Sequence, residues 1–425
     1  MAALAGMIAA RVPVAVSLGL VGVAGYAAIE GWAKAALVLG NAPLDLASAY
    51  DLSVVPLFAL MGALSTTAGL SGDLFRAANA IFAGLRGSLA MAAIGASAAF
   101  GAVCGTSLAT AATMSRVSIP EMLRAGYHPR LAAGAVAAGG TLGILVPPSL
   151  ILVIYALITQ QSVARLFAAA LLPGILLTVL YVAVVFIVRW ARPSWTPGLG
   201  ASESHPLSAV LRVWHVAFLF LLTIGGLYLG WFSPTEAAAV GAFGALALGF
   251  ALRKLDLRGV RQCLLETIDL TAALFLIVMG SKLFTYFVVQ SRVSSSFVQW
   301  VEGLGWPPGS VILLVIALYV ILGFFLEGLG MVLVTVPIVY PVVVAHGFDP
   351  VWFGVLLVIV VEIGLIHPPM GMNLFVIRAQ NPEISIGDIY LGVLPFLVAP
   401  FVLIAMILAY PGIALWLPEL LYGRP

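Results

Sequence analysis

Oxygen-bearing side chains cluster where long apolar segments of this sequence are interrupted. Thr106 and Ser107 follow Gly105 in the middle of the apolar stretch 88–118, and Thr141 lies shortly before a Pro-Pro pair in a second stretch. Hydroxyl groups and the carbonyls of unwound backbone are ligands for hard cations such as sodium, and exposed helix N-termini attract anions. The spacing therefore favours an ion and anion site at these interruptions, with close helix packing by small residues as the alternative.

The second stretch, 130–158, is broken near its middle by Pro147 and Pro148. Adjacent prolines remove backbone donors, clash with the preceding turn and push Val146 out of the helical region. Nearby glycines are expected to loosen the helix further. Such a break is tolerated at membrane depth only where the freed groups face protein, water or a ligand. The site residues predicted here, beside those of the first stretch, are Thr141, Gly143, Pro147 and Ser149.

The break recurs in the second half of the chain. One common offset takes Gly143 to Gly364 and the first Pro-Pro pair to Pro368 and Pro369, and it matches further Pro and Gly positions in the same order. Paired broken segments in corresponding halves are the pattern of a transporter whose binding site lies at the breaks. Two independent proline kinks are the alternative, but they do not explain the shared spacing.

The second half supplies the ionisable members of the predicted site. Glu362 lies two residues before Gly364, and a carboxylate inside a membrane is costly and by default functional. It could bind a cation, relay a proton or cap the broken helix, and all three roles remain open. Lys282 is expected to snorkel or to pair with a carboxylate, and His367 to make a local hydrogen bond. The site residues predicted for this half are Glu327, Gly328, Glu362, Gly364, Pro368 and Asn373.

The composition defines the class of protein in which these breaks lie. Of the 425 residues, 63% are hydrophobic and 8% charged, whereas a soluble protein averages about 25% charged residues. The mean hydropathy is +1.16. Two cysteines and five scattered histidines give neither a disulfide framework nor metal-ligand spacing. We therefore predict an all-α polytopic membrane protein with no nucleic-acid partner and, apart from ions bound at the breaks, no cofactor.

The lengths of the apolar segments predict the topology. A span needs roughly 20 apolar residues, and 88–118 and 310–345 are each too long for one span and too short for two. Each is interrupted, the first at 104–107 and the second at 327–330, so we interpret both as re-entrant hairpins. Complete spans are predicted near 12–38, 50–70, 130–158, 165–190, 213–231, 235–252, 266–290, 350–378 and 389–416, with interfacial helices at 71–87 and 292–308.

The distribution of charge orients these segments. With the N-terminus in the cytoplasm, fourteen of the 19 Lys and Arg residues lie on the cytoplasmic side and four outside, which obeys the positive-inside rule. The C-terminus is then periplasmic, and residues 193–212 form a cytoplasmic linker. The predicted organisation is an inverted repeat, with a first repeat at 1–212 (hairpin 88–118, broken span 130–158), a connecting span at 213–231 and a second repeat at 232–425 (hairpin 310–345, broken span 350–378).

Enzyme signatures are incomplete in this sequence. Tyr50 and Asp51 resemble half of an intramembrane aspartyl protease motif, but the partner Gly-x-Gly-Asp is missing because Met331 follows Gly330. Neither a Gly-x-Ser-x-Gly nucleophile elbow nor a Walker A loop occurs. We therefore predict that the protein is not an enzyme.

The longest motifs are those of one family. They are Cys-Gly-Thr-Ser-Leu-Ala-Thr-Ala-Ala-Thr at 104–113, Ile-Pro-Glu-Met at 119–122, Gly-Tyr-His-Pro-Arg at 126–130, Ala-Gly-Gly-Thr-Leu-Gly-Ile-Leu-Val-Pro-Pro-Ser at 138–149 and Glu-Ile-Gly-Leu-Ile-His-Pro-Pro at 362–369. Over essentially its whole length, the chain resembles the large membrane subunit of TRAP (tripartite ATP-independent periplasmic) transporters, in the ion transporter superfamily. It departs from the family pattern at Cys104 and Thr106, where serines are frequent, and at Val360, where asparagine is.

The resemblance implies an elevator-type, sodium-driven importer of organic acids in a bacterial inner membrane. A periplasmic binding protein would deliver the substrate. A small four-helix membrane subunit would support the large one, and it is expected as a separate chain because no extra block of four spans is present here. The alternative is a stand-alone ion- or proton-coupled organic-anion transporter of the same superfamily. The sequence does not specify which organic acid is carried.

Overall fold

Helices account for all the regular structure of residues 2–10, 12–196 and 213–423, which are the residues that the computed structural model describes. The α-helices are α1 (Ala2–Ala9), α2 (Val14–Glu30), α3 (Trp32–Ala47), α4 (Val54–Thr67), α5 (Leu70–Ile81), α6 (Ser88–Cys104), α7 (Ser107–Arg124), α8 (Pro129–Leu145), α9 (Leu150–Thr159), α10 (Val163–Ala191), α11 (Trp214–Tyr228), α12 (Pro234–Ala251), α13 (Leu257–Gln290), α14 (Val293–Gly303), α15 (Pro308–Leu322), α16 (Gly328–Ala345), α17 (Pro350–Ile366), α18 (Met372–Gln380), α19 (Ile386–Ala409) and α20 (Gly412–Tyr422). The all-α prediction is confirmed for this part of the chain.

Seven helical segments in the described ranges are long and apolar enough to cross a membrane. They are Tyr50–Thr67, Pro129–Thr159, Val163–Ala191, Pro234–Ala251, Leu257–Gln290, Gly328–Ala345 and Ile386–Ala409. Several shorter apolar helices, among them α2, α6 and α17, accompany them. The prediction of a polytopic membrane protein is therefore confirmed.

The two helices that lead into the predicted breaks form the buried centre of the molecule. Every residue from 131 to 145 in α8 and from 351 to 366 in α17 is buried. Helix α8 packs on α19 at a crossing where Gly134 faces Gly392, and a Cβ on either glycine would overlap the main chain of the other helix. Small residues at such crossings let helix backbones approach, which is a main source of association energy inside membranes.

A second close crossing joins the N-terminal part of the chain to its second half. Helix α2 packs along α13, and a Cβ added to Gly22 would lie 2.6 Å from the main chain of Leu283. Further along, Gly280 of α13 packs directly against the main chain of Ala15. These glycines hold the two helices together by shape rather than by charge.

The boundaries predicted for the first span, 12–38, are wrong. Helix α2 ends at Glu30, Gly31 adopts a φ of +88°, and α3 begins at Trp32. A positive φ favours glycine and interrupts the helix. The hydropathy of the segment does not reveal this interruption because Gly31 is flanked on both sides by apolar helix.

The break predicted for the second hairpin, at 327–330, is also misplaced. Helix α15 ends at Leu322 and α16 already begins at Gly328, so the interruption lies at 323–327. The glycines at 328 and 330 belong to the first turn of α16. A Cβ on Gly328 would lie 2.8 Å from Val361 Cγ1, so close packing, rather than a break, accounts for this glycine.

Two further segments are shorter than predicted. The span predicted at 389–416 ends at Ala409, because Tyr410 and Pro411 separate α19 from α20. The connecting span predicted at 213–231 is helical over Trp214–Tyr228 and contains a π-helical turn at Leu221–Gly225. Residues 197–212 of the predicted linker, and Arg11, Arg212 and Arg424 of the charge count, lie outside the described residues.

Candidate functional site

The first break separates α8 from α9 by the four residues 146–149. Val146 is extended, with φ −73° and ψ 123°, as expected for a residue before proline. The peptide bond between Pro147 and Pro148 is cis. Ser149 caps α9, because its Oγ accepts a hydrogen bond of 3.3 Å from the Leu152 amide. One of the free backbone amides at the start of α9 thus has a side-chain acceptor.

The turn between α6 and α7 contacts this break directly. Gly105 adopts a φ of +72°, and its carbonyl accepts a hydrogen bond of 3.3 Å from the amide of Leu150. A Cβ on Gly105 would lie 2.9 Å from the carbonyl oxygen of Pro148. Thr106 stands at the N-cap position of α7, where its carbonyl accepts the Thr110 hydroxyl at 2.8 Å. The residues predicted at the first hairpin and at the first break therefore share one location.

The glycines of α8 do not loosen that helix, contrary to the expectation from the sequence. Helix α8 is continuous from Pro129 to Leu145. A Cβ on Gly143 would lie 2.6 Å from the Thr106 carbonyl oxygen, and one on Gly101 of α6 would lie 2.7 Å from the Gly143 Cα. These positions are glycine because α6 and α7 pack against the α8 backbone.

The second break repeats this arrangement. Residues 367–371 separate α17 from α18, and the peptide bond between Pro368 and Pro369 is cis. Gly323, at the end of α15, packs on Gly364, where a Cβ on Gly364 would lie 2.8 Å from the Gly323 Cα. This contact corresponds to that of Gly101 with Gly143 in the first half.

His367 makes the local hydrogen bond expected of it. Its Nδ1 lies 2.5 Å from the carbonyl oxygen of Pro368, and its ring meets that of Phe324 edge-on at 4.7 Å between centroids. In the described ranges, no three His, Cys, Asp or Glu side chains come together as a metal-ligand group. His367 therefore supports the conformation of the break.

A pair of hydrogen bonds joins the two halves at this site. The Ser107 hydroxyl donates to Asn373 Oδ1 at 3.1 Å and accepts from Asn373 Nδ2 at 2.7 Å. Both side chains are buried, with 3% and 0% of their surface exposed. Ser107 starts α7 and Asn373 lies in the first turn of α18, so the turn between α6 and α7 contacts the helix that follows the second break.

A second cross-half contact involves Thr141, Tyr181 and Glu362. The Thr141 hydroxyl donates to the Ala138 carbonyl at 2.8 Å and lies 3.1 Å from the Tyr181 hydroxyl. Tyr181 of α10 also lies near Glu362 of α17. Thr141 and Glu362 are equivalent positions, because the offset that takes Gly143 to Gly364 takes Thr141 to Glu362. One tyrosine therefore contacts Thr141 and lies near the position that the offset pairs with it.

Glu362 is fully buried, and neither carboxylate oxygen has a hydrogen-bond partner in the described part of the chain. Burying an isolated carboxylate costs at least several kcal/mol. Glu362 therefore caps no helix end in this structure, which removes one of its three possible roles. A bound cation or a bound proton would each neutralise it.

The remaining predicted residues lie at the second hairpin. Glu327 occupies the N-cap position of α16, and its carboxylate faces the backbone amide of Gly330. Gly328 contacts Val361 of α17 and Ile151 of α9, so this end of α16 touches both broken helices. The predicted members of the site thus converge on α8, α17 and the residues around their breaks.

Three residues of this region were not predicted from the sequence. Gly101 and Gly323 provide the close contacts with the broken helices, and their near-equal offset was the signal that could have revealed them. Tyr181 gives no such signal, since a single tyrosine in an apolar span is unremarkable by pattern. Lys282, by contrast, pairs with a carboxylate as expected, with its Nζ 2.8 Å from Asp45 Oδ2.

Comparison with known proteins points to one family for nearly the whole chain. The family model described as "Tripartite ATP-independent periplasmic transporter, DctM component" matches residues 1–413. The C4-dicarboxylate TRAP transporter large permease protein DctM of Pseudomonas aeruginosa is 37% identical over 373 residues, which cover 87% of this chain and 86% of that protein. The sialic acid TRAP transporter large permease protein SiaM of Vibrio cholerae is 36% identical over 379 residues, which cover 88% and 87%.

A solved structure shares the fold. The YdaH transporter of Alcanivorax borkumensis superposes with a TM-score of 0.62 at 15% sequence identity, covering 88% of this chain and 87% of that one. The sequence relatives are transporter permeases and not enzymes. The resemblance inferred from the motifs is confirmed: this chain belongs to the DctM family, the large permease component of TRAP transporters.

Proposed function

We propose that the protein is the permease subunit of a sodium-coupled importer of an organic acid in the bacterial inner membrane, working by an elevator mechanism. Its relatives are named for C4-dicarboxylates, sialic acid and isethionate, all of which are acids. A periplasmic binding protein delivers the acid, and a small four-helix membrane subunit supports the permease as a separate chain. The N-terminus lies in the cytoplasm and the C-terminus in the periplasm.

The observation that carries this proposal is that hairpins and breaks meet in both halves and then meet each other. Gly105 contacts Pro148, Gly323 contacts Gly364, and Ser107 links the first tip to Asn373. Elements joined in this way can move as one body. The α2–α13 crossing, built by glycines elsewhere in the molecule, is suited to the fixed scaffold that an elevator needs.

The polar groups at these contacts support sodium as the coupling ion. The carbonyl of Gly105, the hydroxyl of Thr106 and the backbone around Pro368 offer neutral oxygens, which is the donor set that unwound membrane helices present to sodium. The carboxylate of Glu362, which has no hydrogen-bond partner among the described residues, would supply the negative charge that attracts the cation. Sodium is here a transported substrate that moves with the acid.

A second candidate function is proton coupling, and Glu362 is also the observation that favours it. A carboxyl group without hydrogen-bond partners in an apolar core is stabilised when it is protonated, because burial disfavours the charged form. A stand-alone proton-coupled transporter of organic anions would use the same residue. The two candidates differ in which ion gradient drives uptake.

Uptake into proteoliposomes tests the proposal. Permease, small subunit and binding protein are reconstituted, and the binding protein's ligand is first identified by a thermal-shift screen. We expect uptake only with an inward sodium gradient and with the binding protein present. Equal uptake when potassium replaces sodium at matched pH would refute sodium coupling, and uptake driven by a proton gradient alone would favour the second candidate.

Cysteine accessibility tests the re-entrant hairpins. Single cysteines near Arg116 are expected to react only with reagents added from the cytoplasm, and those near His346 only from the periplasm. Cys104 and Cys263 are replaced beforehand. If both positions react from the same side, the inverted topology is wrong.

A further inference from the structure

A cavity of about 260 Å³ lies beside the first hairpin tip, between α4, α7 and α13. One face of α7 forms a wall, with residues 106, 109, 112, 113 and 116 at helical spacing. Helix α4 forms the second wall and α13 the third. The lining side chains that argue for a ligand are Thr66, Thr106, Thr113, Arg116, Glu266 and Thr267.

The cavity is closed at the tip and charged further along α7. A Cβ on Gly62 of α4 would lie 3.0 Å from the Cys104 Cα, so α4 packs tightly against the tip. Thr106 and Arg116 are ten residues apart on α7, which corresponds to about 15 Å along the helix axis at 1.5 Å per residue. A ligand entering past Arg116 would therefore approach Thr106 and the first break.

Arg116 makes no hydrogen bond and no ion pair in the described part of the chain, although it lines this cavity. Arg124, two turns further along the same helix, pairs with Glu121 at 2.8 Å. A guanidinium group presents a planar fork of donors that matches a carboxylate. Arg116 is thus the free cationic group of this cavity.

Two features limit the ligand. Glu266 on the α13 wall accepts a hydrogen bond from Gln262 at 2.9 Å and presents its carboxylate to the cavity. Arg116 can pair with one carboxylate of a ligand. A second ligand carboxylate would be repelled by Glu266. The volume lies below the roughly 300–1,000 Å³ of sites for drug-sized ligands, so a small acid fits better than a sugar acid.

We propose that this cavity binds the transported acid and selects a small monocarboxylate, whose carboxylate is held by Arg116 and whose other polar group meets Thr113. The inference rests on the proposed function and deepens it. Thr113 is suited to this role because it lines the cavity and its hydroxyl makes no hydrogen bond to another described residue. Glu266 acts as the group that excludes a second carboxylate.

Protection of an introduced cysteine tests this site. Ala109→Cys is made in a Cys104→Ser, Cys263→Ser background of the full permease with its small subunit, in proteoliposomes. The rate of maleimide labelling is measured in a sodium-containing buffer, with lactate, succinate or N-acetylneuraminate added as the test compound. We expect lactate to slow labelling and the other two to leave it unchanged at the same concentration.

Variants then identify the residues responsible. R116Q should raise the lactate concentration for half protection about ten- to hundredfold, the loss expected for a charge-assisted bidentate contact. R124Q removes a cationic group from the same helix outside the cavity and should change nothing, and E266Q should allow succinate to protect. R116K, which keeps the charge, should fall between R116Q and the parent, and thermal unfolding checks that each variant is folded.

Failure of this inference is distinguishable from failure of the proposed function. Protection that is unaffected by R116Q, equal protection by all three acids, or no protection by any of them would overturn the site. If sodium-driven uptake of the delivered acid nevertheless persists in the parent, the proposed function stands and the substrate binds elsewhere. Loss of sodium dependence in the parent would contradict the proposed function whatever the labelling shows.

Discussion

The two breaks have the same shape and different electrostatics. At the first, residues 146–149 are all buried, and the Ser149 hydroxyl has a helical amide as its partner. At the second, Pro369 and Met370 are exposed, while Glu362, one helical turn before the break, is buried and has no hydrogen-bond partner among the described residues. The side-chain hydroxyl at the first break therefore has a hydrogen-bond partner within the protein. The carboxyl group near the second break has none, so it carries either an uncompensated charge or a proton.

Thr141 and Glu362, which the common offset pairs, differ in chemistry. Both positions lie two residues before a glycine that packs against its hairpin, so the close helix contacts are kept in both halves. The hydroxyl of Thr141 is satisfied by Ala138 and Tyr181, whereas the carboxylate of Glu362 is not satisfied by any described residue. The two breaks are thus alike in backbone and different in chemistry, and under the proposed function ion coupling is expected to depend more on the second.

The largest expected effect concerns the shape shared by both breaks. Gly143→Ala places a Cβ 2.6 Å from the Thr106 carbonyl oxygen, and a backbone atom cannot yield as a flexible side chain can. We expect a loss of at least about 1–3 kcal/mol from overpacking and poor recovery of folded protein. Gly364→Ala, at the equivalent position, should be similarly harmful. Thermal unfolding in detergent measures both.

The control is a helical glycine with open space around it. A Cβ on Gly40 of α3 would have no neighbour within 4 Å, so Gly40→Ala should be neutral or should stabilise by up to about 1 kcal/mol through helix propensity. If Gly143→Ala behaved like Gly40→Ala, the close contact of hairpin and broken helix would be refuted.

An intermediate effect is expected for the link between the halves. Ser107→Ala and Asn373→Ala each break the paired hydrogen bonds and leave a buried polar partner, which costs about 1–3 kcal/mol. Because both variants remove the same contact, a double-mutant cycle should show a coupling of at least about 0.5 kcal/mol. Additive changes in the free energy of unfolding would mean that Ser107 and Asn373 are not energetically coupled.

The smallest effect is expected at an ion pair between α8 and α19, because the residue equivalent to its arginine in the second half is not charged. Arg130 Nε lies 2.8 Å from Asp388 Oδ1, and both side chains are about one third exposed. The equivalent position in the second half is Val351. Arg130→Gln should cost about 0.2–1 kcal/mol, the range for exposed pairs, and the loss should shrink at high salt. A larger, salt-independent loss would mean that the ion pair fixes α8 against α19 more than glycine packing does.

The sequence predicts where the helices break better than it predicts which residues contact the breaks. Adjacent prolines act on the local backbone, so Pro147 and Pro368 marked their breaks directly. The sequence misplaces the interruption of the 310–345 segment because Gly328 and Gly330 can either interrupt a helix or permit close packing. Whether a glycine breaks a helix or permits packing depends on the neighbouring helix, which a single sequence does not show.

The same limit applies to Glu362. Its position in a membrane segment made it a candidate, but its three possible roles differ only in what surrounds the carboxylate. The absence of a hydrogen-bond partner among the described residues is a property of the packed helices around α17. Tyr181 is not predicted from the sequence for the same reason, because its importance depends on its location between α8 and α17.

Uptake against sodium concentration in Glu362→Gln tests the central claim most directly. Glutamine keeps the shape of the side chain and removes the charge, and a lost charge-assisted contact is worth about 1.5–3 kcal/mol. Glu383→Gln, which removes an exposed carboxylate from the loop after α18, is the matched control. With equal protein levels in the membrane, we predict a sodium half-saturation raised roughly ten- to hundredfold in Glu362→Gln alone. An unchanged half-saturation would contradict the account and leave the backbone carbonyls near Gly364 and Pro368 as the ion ligands.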